Sequence, residues 1–461
     1  MVFPVIGGDG KPTGYEIENS LRFNANDERL ERTPSSTGSR RKFTLSTWVK
    51  FNSGARRNIM AWRTDSNNAG EIRVENTGQV QVFEFQGGSQ SNGFGFYSTR
   101  LLRDSSAWYN LFISVDTEQG TSGLIMYING QEITYHTRTL GGGTNLDCNF
   151  NLSGTPMKIG SDRDNSQVWD GYMSEMHWID GTIKLPTDFS ETNENGVWIP
   201  KKYNGSYGTN GFYMEFKQSG TGTNASGMGA DTSGNDNHFA VTNLTATDVT
   251  TDTPTNNFCT VNPLGGTNSS GKWTFSEGNT QIQQNNNGSW RATGSTMAVA
   301  NGKWYWEIEF DAGTMTEIFV GVHDSEVSLE GTNRWVTGST LFYNHNGGEI
   351  RQDGTDTTND YGVLTAGDIL GIALNMDDNQ ITFYDNGSAI ASNFGLSSSI
   401  TGFAMPTFLS DSSDIVYKVN FGNAPFAISS GNADANGYGN FEYAVPSGYY
   451  AICTKNLAQF G

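Results

Sequence analysis

Short runs in which apolar and polar residues alternate, cut again and again by Gly, Asn and Asp, constrain this chain more than any other feature. In FTLSTWVKF (43–51), Phe43, Leu45, Thr47, Val49 and Phe51 fall on one face and Trp48 on the other. In KWYWEIEF (303–310), Trp304, Trp306, Ile308 and Phe310 share a face. A period of two marks a half-buried strand. The pairs Asn129-Gly130 and Asn386-Gly387 lie between such runs, and both residue types tolerate the positive φ of a two-residue hairpin. No segment reads as a long amphipathic helix, a heptad array or a fixed-length repeat. Such a chain buries its apolar faces by laying antiparallel sheets against one another.

The same pattern predicts strands at SLRF (20–23), WYNLFISVD (108–116), LIMYINGQEI (124–133), PMKIGSD (156–162), DGYMSEMHWID (170–180) and GFYMEF (211–216). A second array covers KWTF (272–275), GSWRATGS (288–295), IFVGVHD (318–324), TLFYNHNG (340–347), the long run 368–390, AMPTF (404–408) and IVYKVNFG (415–422). The expected fold is all-β: two antiparallel, jelly-roll-like β-sandwiches in tandem. Residues 1–18 read as an N-terminal arm and candidate anchor, and 19–243 as the first sandwich. A Thr/Asp-rich linker is expected over 244–265, the second sandwich over 266–425, and a C-terminal extension packed on it over 426–461. FCTVNPL (258–264) and ICTKNLA (452–458) echo each other on either side of the second array, which suggests a structural junction.

Charge narrows the partners. Acidic residues number 48 against 28 basic ones, a formal charge of −20. Nucleic-acid binding draws on Lys and Arg to displace counterions, so DNA, RNA and anionic membranes are excluded as partners over most of the surface. Arg40, Arg41 and Lys42 form too short a basic cluster to reverse this. No run approaches the ~20 apolar residues of a bilayer helix. The opening MVFPVIGGDG lacks the features of a signal peptide, so synthesis in a cytoplasm is expected. Cys148, Cys259 and Cys453 form no pairing pattern and read as reduced thiols.

Two stretches resemble known families. SLRFNANDERL, FTLSTWVKF, AWYNLFISVD, LIMYINGQEI and KIGSD followed by VWDGYMSEMHWID resemble, in order and spacing, the laminin-G and concanavalin A-like lectin family over about 20–200. GFYMEF and DTSGNDNHF (231–239) look like that family's opening strands displaced to the end. The resemblance therefore implies that 211–243 complete the first sandwich. KWYWEIEF, IFVGV, GDILGIALNMDDNQITFYDNG and VNFG resemble the SPRY family over about 266–425. The tandem, with PKKYNGSYGTNGFY, TDTPTNNFCTVNPL and PSGYYAICTKNL at its junctions, is similar to virion proteins of marine bacteriophages. That resemblance implies a non-enzymatic tail-fibre or receptor-binding appendage on the virion surface. Its partners would be other tail or capsid proteins and a host-surface carbohydrate. It would be a homo-oligomer, with a trimer as the guess, since weak glycan sites gain avidity by repetition. A capsid decoration or head-fibre protein is the alternative, because the chain has no shaft-forming repeat.

Chemistry-bearing motifs are sparse. Glu307, Glu309 and Asp311 share a strand face but depart from the facing carboxylates of a retaining glycosidase, and they read as a solvated outer face. A glycan-degrading enzyme is the remaining alternative. None of His136, His177, His238, His323 and His345 forms a metal-ligand pair by spacing. Ligand-binding candidates are the loop-flanking aromatics Trp62, Trp169, Trp335 and Tyr343. No cofactor is required. Calcium is the ion that Asp231, Asn235, Asp236 and Asn237, or Asp162 and Asp164, would take if these loops were more than turns.

Overall fold

A computed structural model describes residues 14–461, apart from 25–26, 53, 266–272, 286–289, 313–317, 331–332, 345–346 and 412–414. Most of the expected arm (1–13) and His345 lie outside the described residues. The chain divides into two compact units, with the boundary between Thr255 and Asn256.

In the first unit, one sheet runs in the order Gln131–Glu132, Leu124–Ile128, Tyr109–Asp116, Lys42–Phe51, Asp170–Asp180, Ser20–Asn24, Val249–Thr250, and Phe212–Met214 also pairs with Asp170–Asp180. The second sheet runs Tyr135–Leu140, Ser89–Leu101, Gln79–Gln86, Asn68–Val74, Arg57–Asp65, Met157–Ile159, Arg29–Arg32, Ala240–Thr242. Four strands between Arg57 and Leu101 thus go beyond the sequence reading. Phe43, Leu45, Val49 and Phe51 enter the core, while Trp48 faces the other way onto Ile17, Trp108 and Tyr172, as alternation requires. Asn129 and Gly130 both take positive φ, the geometry a tight hairpin turn needs. Each fully buried large apolar side chain contributes about 1.5–3 kcal/mol over its exposed state.

Residues 211–243 do complete this sandwich, through Phe212–Met214 in one sheet and Ala240–Thr242 in the other. The expected linker over 244–265 is absent as a separate segment. Thr250 pairs with Ser20. Asp252 forms an ion pair with Lys50 at 2.9 Å, with both side chains 1% exposed, and accepts a hydrogen bond from Trp108 Nε1 at 3.0 Å. The Thr/Asp composition serves buried polar contacts here, which is why it resembles a linker in sequence.

The second unit begins at once. One sheet runs Trp273–Ser276, Gln281–Gln284, Val416–Asn420, Lys303–Ala312, Ile369–Asn375, Gln380–Asp385, Ser388–Gly395; the facing sheet runs Arg291–Gly294, Ala404–Ser410, Ile318–Asp324, Ser339–Tyr343, Glu349–Gln352, Thr355–Asp356. Trp304, Trp306, Ile308 and Phe310 all point into the core. The two echoing segments meet. Phe258 bridges Cys453, and the Cys259 N–H donates to the Ile452 carbonyl at 2.9 Å. The C-terminal extension packs on this unit, with Tyr450–Ala451 parallel to Lys303–Ala312. It also covers Glu307, which is fully buried and not solvated as expected. Glu309 and Asp311 both pair with Lys418.

Among the described residues no disulfide joins the three cysteines, which are all buried, and no helix is long and apolar enough to cross a membrane.

Candidate functional site

The first unit carries a cleft of about 230 Å³ on the outer face of the sheet that contains Asp170–Asp180. It starts from a break in one strand. Met173, Met176 and Trp178 all face the core, so the first two inward side chains are three positions apart where two is the rule. The pairing with Lys42–Phe51 shifts register between Ser174 and His177, and Glu175 takes φ 49°. A bulge of this kind re-aims a side chain. It turns the Glu175 carboxylate, 6% exposed, into the floor of the cleft.

Segments remote in sequence close around it. Phe212–Met214 pairs so that Tyr213 lies opposite His177, and the two rings stack at 4.3 Å. Tyr213 OH donates to Glu175 Oε1 at 2.7 Å. Tyr15 OH lies 3.2 Å from both Glu175 oxygens and 3.1 Å from Tyr213 OH. His177 Nδ1 contacts Tyr207 OH at 2.9 Å, while its Nε2 is 3.4 Å from Glu175. Tyr203 stacks on Phe189 at 4.6 Å and forms a further wall. Glu16, Glu18, Glu215, Lys202 and Lys217 make up the rim.

Burial, and then the Glu175 charge, push the Tyr15 phenol up to about 12. Burial raises Tyr213 and Tyr207 as well. All three phenols therefore stay protonated at neutral pH, and Tyr213 remains a donor to Glu175. Burial and the nearby Glu175 raise the Glu215 carboxyl above its ordinary value. The arrangement is a fixed carboxylate between phenol donors, flanked by aromatic faces. It can accept hydrogen bonds from ligand hydroxyl or amino groups and pack against a ring.

The sequence-predicted residues lie elsewhere. Trp62 and Trp169 are fully buried, and Trp62 Nε1 donates to the buried Glu84 at 2.6 Å. Neither presents a face to a ligand; the flanking polar residues that suggested exposure belong to strand edges and turns. Trp335 and Tyr343 do come together, on the outer face of the second unit's six-stranded sheet. Phe319 stacks on Tyr343 at 4.0 Å and on Trp335 at 6.2 Å, and the Arg351 guanidinium lies 5.1 Å from the Phe319 and Tyr343 rings. Tyr343 is nonetheless buried, and Trp335 packs against that cluster.

The predicted calcium loop is occupied by its own backbone. Asp231 accepts from the Tyr213, Ser233 and Asn237 amides at 2.8–2.9 Å. The side-chain amides of Asn235 and Asn237 donate to carbonyls of 208–211. Asp236 points outward. Asp162 accepts from the Asp164 and Ser166 amides, and Asp164 pairs with Arg63. Among the described residues no group of three or more His, Cys, Asp or Glu side chains could hold a metal ion. The loop instead helps hold Tyr213 in place, since the Tyr213 N–H is one of the amides that Asp231 accepts.

Tyr15, Glu175, Tyr203, Tyr213 and Glu215 were not singled out from sequence. One signal was available: the Met173–Met176 spacing inside an otherwise two-residue period.

Residues 25–187 match the laminin-G model of the concanavalin A-like lectin/glucanases superfamily, and residues 303–423 match the SPRY domain model. None of the curated proteins compared with the chain matches it. Similar solved structures include the SPRY domain of human HERC1, at 18% identity over 30% of this chain and 87% of that one, with a TM-score of 0.27. The native heptameric SAP-like pentraxin from Limulus polyphemus is 14% identical over 37% of this chain and 80% of its own, with a TM-score of 0.29. The TRIM65 PSpry domain is 10% identical over 35% and 91%, with a TM-score of 0.28. The chain thus carries, in order, a concanavalin A-like domain of the laminin-G type and a SPRY domain.

Proposed function

We propose that the chain is a non-enzymatic recognition protein whose first sandwich holds a carbohydrate in the Glu175 cleft. The observation that carries this reading is the cleft itself: a buried carboxylate fixed by two tyrosines, with aromatic walls, on a lectin-type sandwich. Sugars are held by such pairings of ring faces with a few placed polar groups. The SPRY domain supplies a second module, and protein is the partner class for it. The reading invokes no metal.

The biological setting we propose is a phage virion surface, as a tail-fibre or receptor-binding appendage that contacts a host glycan. The support is the tandem order and the junction sequences, which close the second unit on itself. Homo-oligomerisation, as a trimer, would multiply a weak site. Capsid decoration is the second reading. It is favoured by the longest α-helix among the described residues being Thr454–Phe460, seven residues, which offers no shaft.

Glycan-array binding by the intact chain, with Tyr15→Ala and Tyr203→Ala alongside, tests the first step. Binding that weakens in both variants is expected. Binding that neither variant changes would remove the cleft from the function. Immunogold labelling of particles against residues 266–425 separates the two settings: label at the tail supports attachment, and label over the head makes the protein a decoration.

A further inference from the structure

The Glu175 cleft is lined by more negative than positive charge, and the geometry points to one class of sugar. We propose that it takes a sugar bearing a free amino group, with the ammonium seated between Glu175 and Glu215. This rests on the carbohydrate reading above and narrows it.

Four carboxylates line the cleft (Glu16, Glu18, Glu175 and Glu215) against two lysines, Lys202 and Lys217. Lys217 is already engaged with Glu18 at 3.1 Å. The Glu175 oxygens are held by phenols that stay neutral, so their hydrogen bonds anchor the charge without cancelling it. Glu215 is half-buried; among the described residues its side chain makes no direct hydrogen bond or ion pair, and Lys217 and Lys202 act on it only from a distance. Its carboxyl is pushed up by burial and by the Glu175 charge, the mark of two like charges sharing one poorly hydrated space. A cation between them relieves that repulsion and gives Glu215 a direct partner in place of the distant lysines. The walls suit the rest of the ligand. Tyr15 offers π surface, which attracts an ammonium as well as the C–H face of a sugar ring, while the Tyr203 ring, already stacked on Phe189 and beneath Lys184, serves as a wall. An N-acetylated sugar brings no charge to the site, and a uronic acid adds one more negative group to it.

Calorimetric titration of the full-length chain tests this with three probes of equal length: glucosamine oligomers, N-acetylglucosamine oligomers and oligogalacturonate. Glucosamine oligomers are expected to bind at least about tenfold tighter than the other two, with affinity falling as salt rises. Glu215→Gln should weaken them about tenfold and leave folding intact, because the carboxylate has no direct partner to lose. Equal or tighter binding of the acetylated or acidic oligomers overturns the amino-group assignment while leaving the carbohydrate reading standing. An unchanged affinity in Glu215→Gln overturns the placement of the ammonium. Failure of every sugar on the glycan array to bind sinks both readings.

Discussion

Glu175 and Glu307 occupy comparable places in the two units. Each lies on a central strand, on the face turned away from the core, nearly or wholly withdrawn from water. Each is also covered by a segment from a distant part of its unit. The difference is in what covers them. Glu307 accepts the Glu442 and Tyr443 amides at 2.9 and 2.8 Å, Asn420 Nδ2 at 3.1 Å and Tyr305 OH at 3.1 Å. Its partners are mostly backbone and amide, and they fix the C-terminal extension to the sandwich. Among the described residues Glu175 meets only side chains, two phenols and a histidine edge, and a cleft opens above it. One carboxylate is a fastening and the other faces a space a ligand can enter. Burial alone does not tell them apart; the kind of donor does.

The comparison breaks most readily at Glu307. Glu307→Leu strands the Glu442 and Tyr443 amides and the Tyr305 hydroxyl, and should cost about 3 kcal/mol or more of the second unit's stability. Urea unfolding followed by fluorescence would show this, and a loss below about 1 kcal/mol would mean the extension holds without it. The pH dependence comes next. Burial raises the Glu307 carboxyl above its ordinary value, so the folded state takes up a proton at a pH where the unfolded chain has none. Its contribution therefore disfavours folding at neutral pH and is relieved as pH falls from the raised value towards the ordinary carboxylate range. Thermal unfolding at a series of pH values should show this slope in the wild type and a flatter one in Glu307→Gln.

At the cleft the stability effects are smaller and the binding effects larger. Tyr213→Phe removes one charge-assisted hydrogen bond and should cost about 1.5–3 kcal/mol at most, with a clear loss of sugar affinity. Glu175→Gly loses that bond and those from Tyr15 as well, so its stability cost should be of the same order. The glycine accepts the positive φ that Glu175 is forced into, which offsets part of the lost hydrogen bonding. Sugar binding should nevertheless disappear. If Glu175→Gly unfolds the first unit, the two glutamates are both fastenings and the contrast fails.

The fold was readable where alternation coincided with a turn signal. KWYWEIEF and the Asn386-Gly387 hairpin each declare a strand and its end, and the structure has both. Strands from Arg57 to Leu101 went unread although Gln79–Gln86 alternates in part, because no family motif or Asn-Gly pair anchors them. Linker and core were confused at 244–265, since a buried Asp252 looks the same in sequence as an exposed one until Lys50 is seen beside it. Tryptophans were poor guides to the site: Trp62 and Trp169 fill core volume. The cleft was the least legible part. Its walls come from positions 15, 175, 203 and 213, which only tertiary pairing brings together, and the Met173–Met176 spacing was the one local trace of it.

The closure of the second unit has a consequence for how such a protein can be rearranged. Phe258, near its start, is bridged to Cys453, just before the closing helix Thr454–Phe460 that packs on the same core. A body whose ends share one doorway can be excised or transplanted into a loop of another host with little change to either scaffold. It can also be reconnected with new termini at an exposed hairpin such as Asn386-Gly387. The first unit shares this property: Ser20 pairs with Thr250, and Ile17 exchanges hydrogen bonds with Thr255 at its other end. Shuffling of modules would thus be expected to move either unit whole.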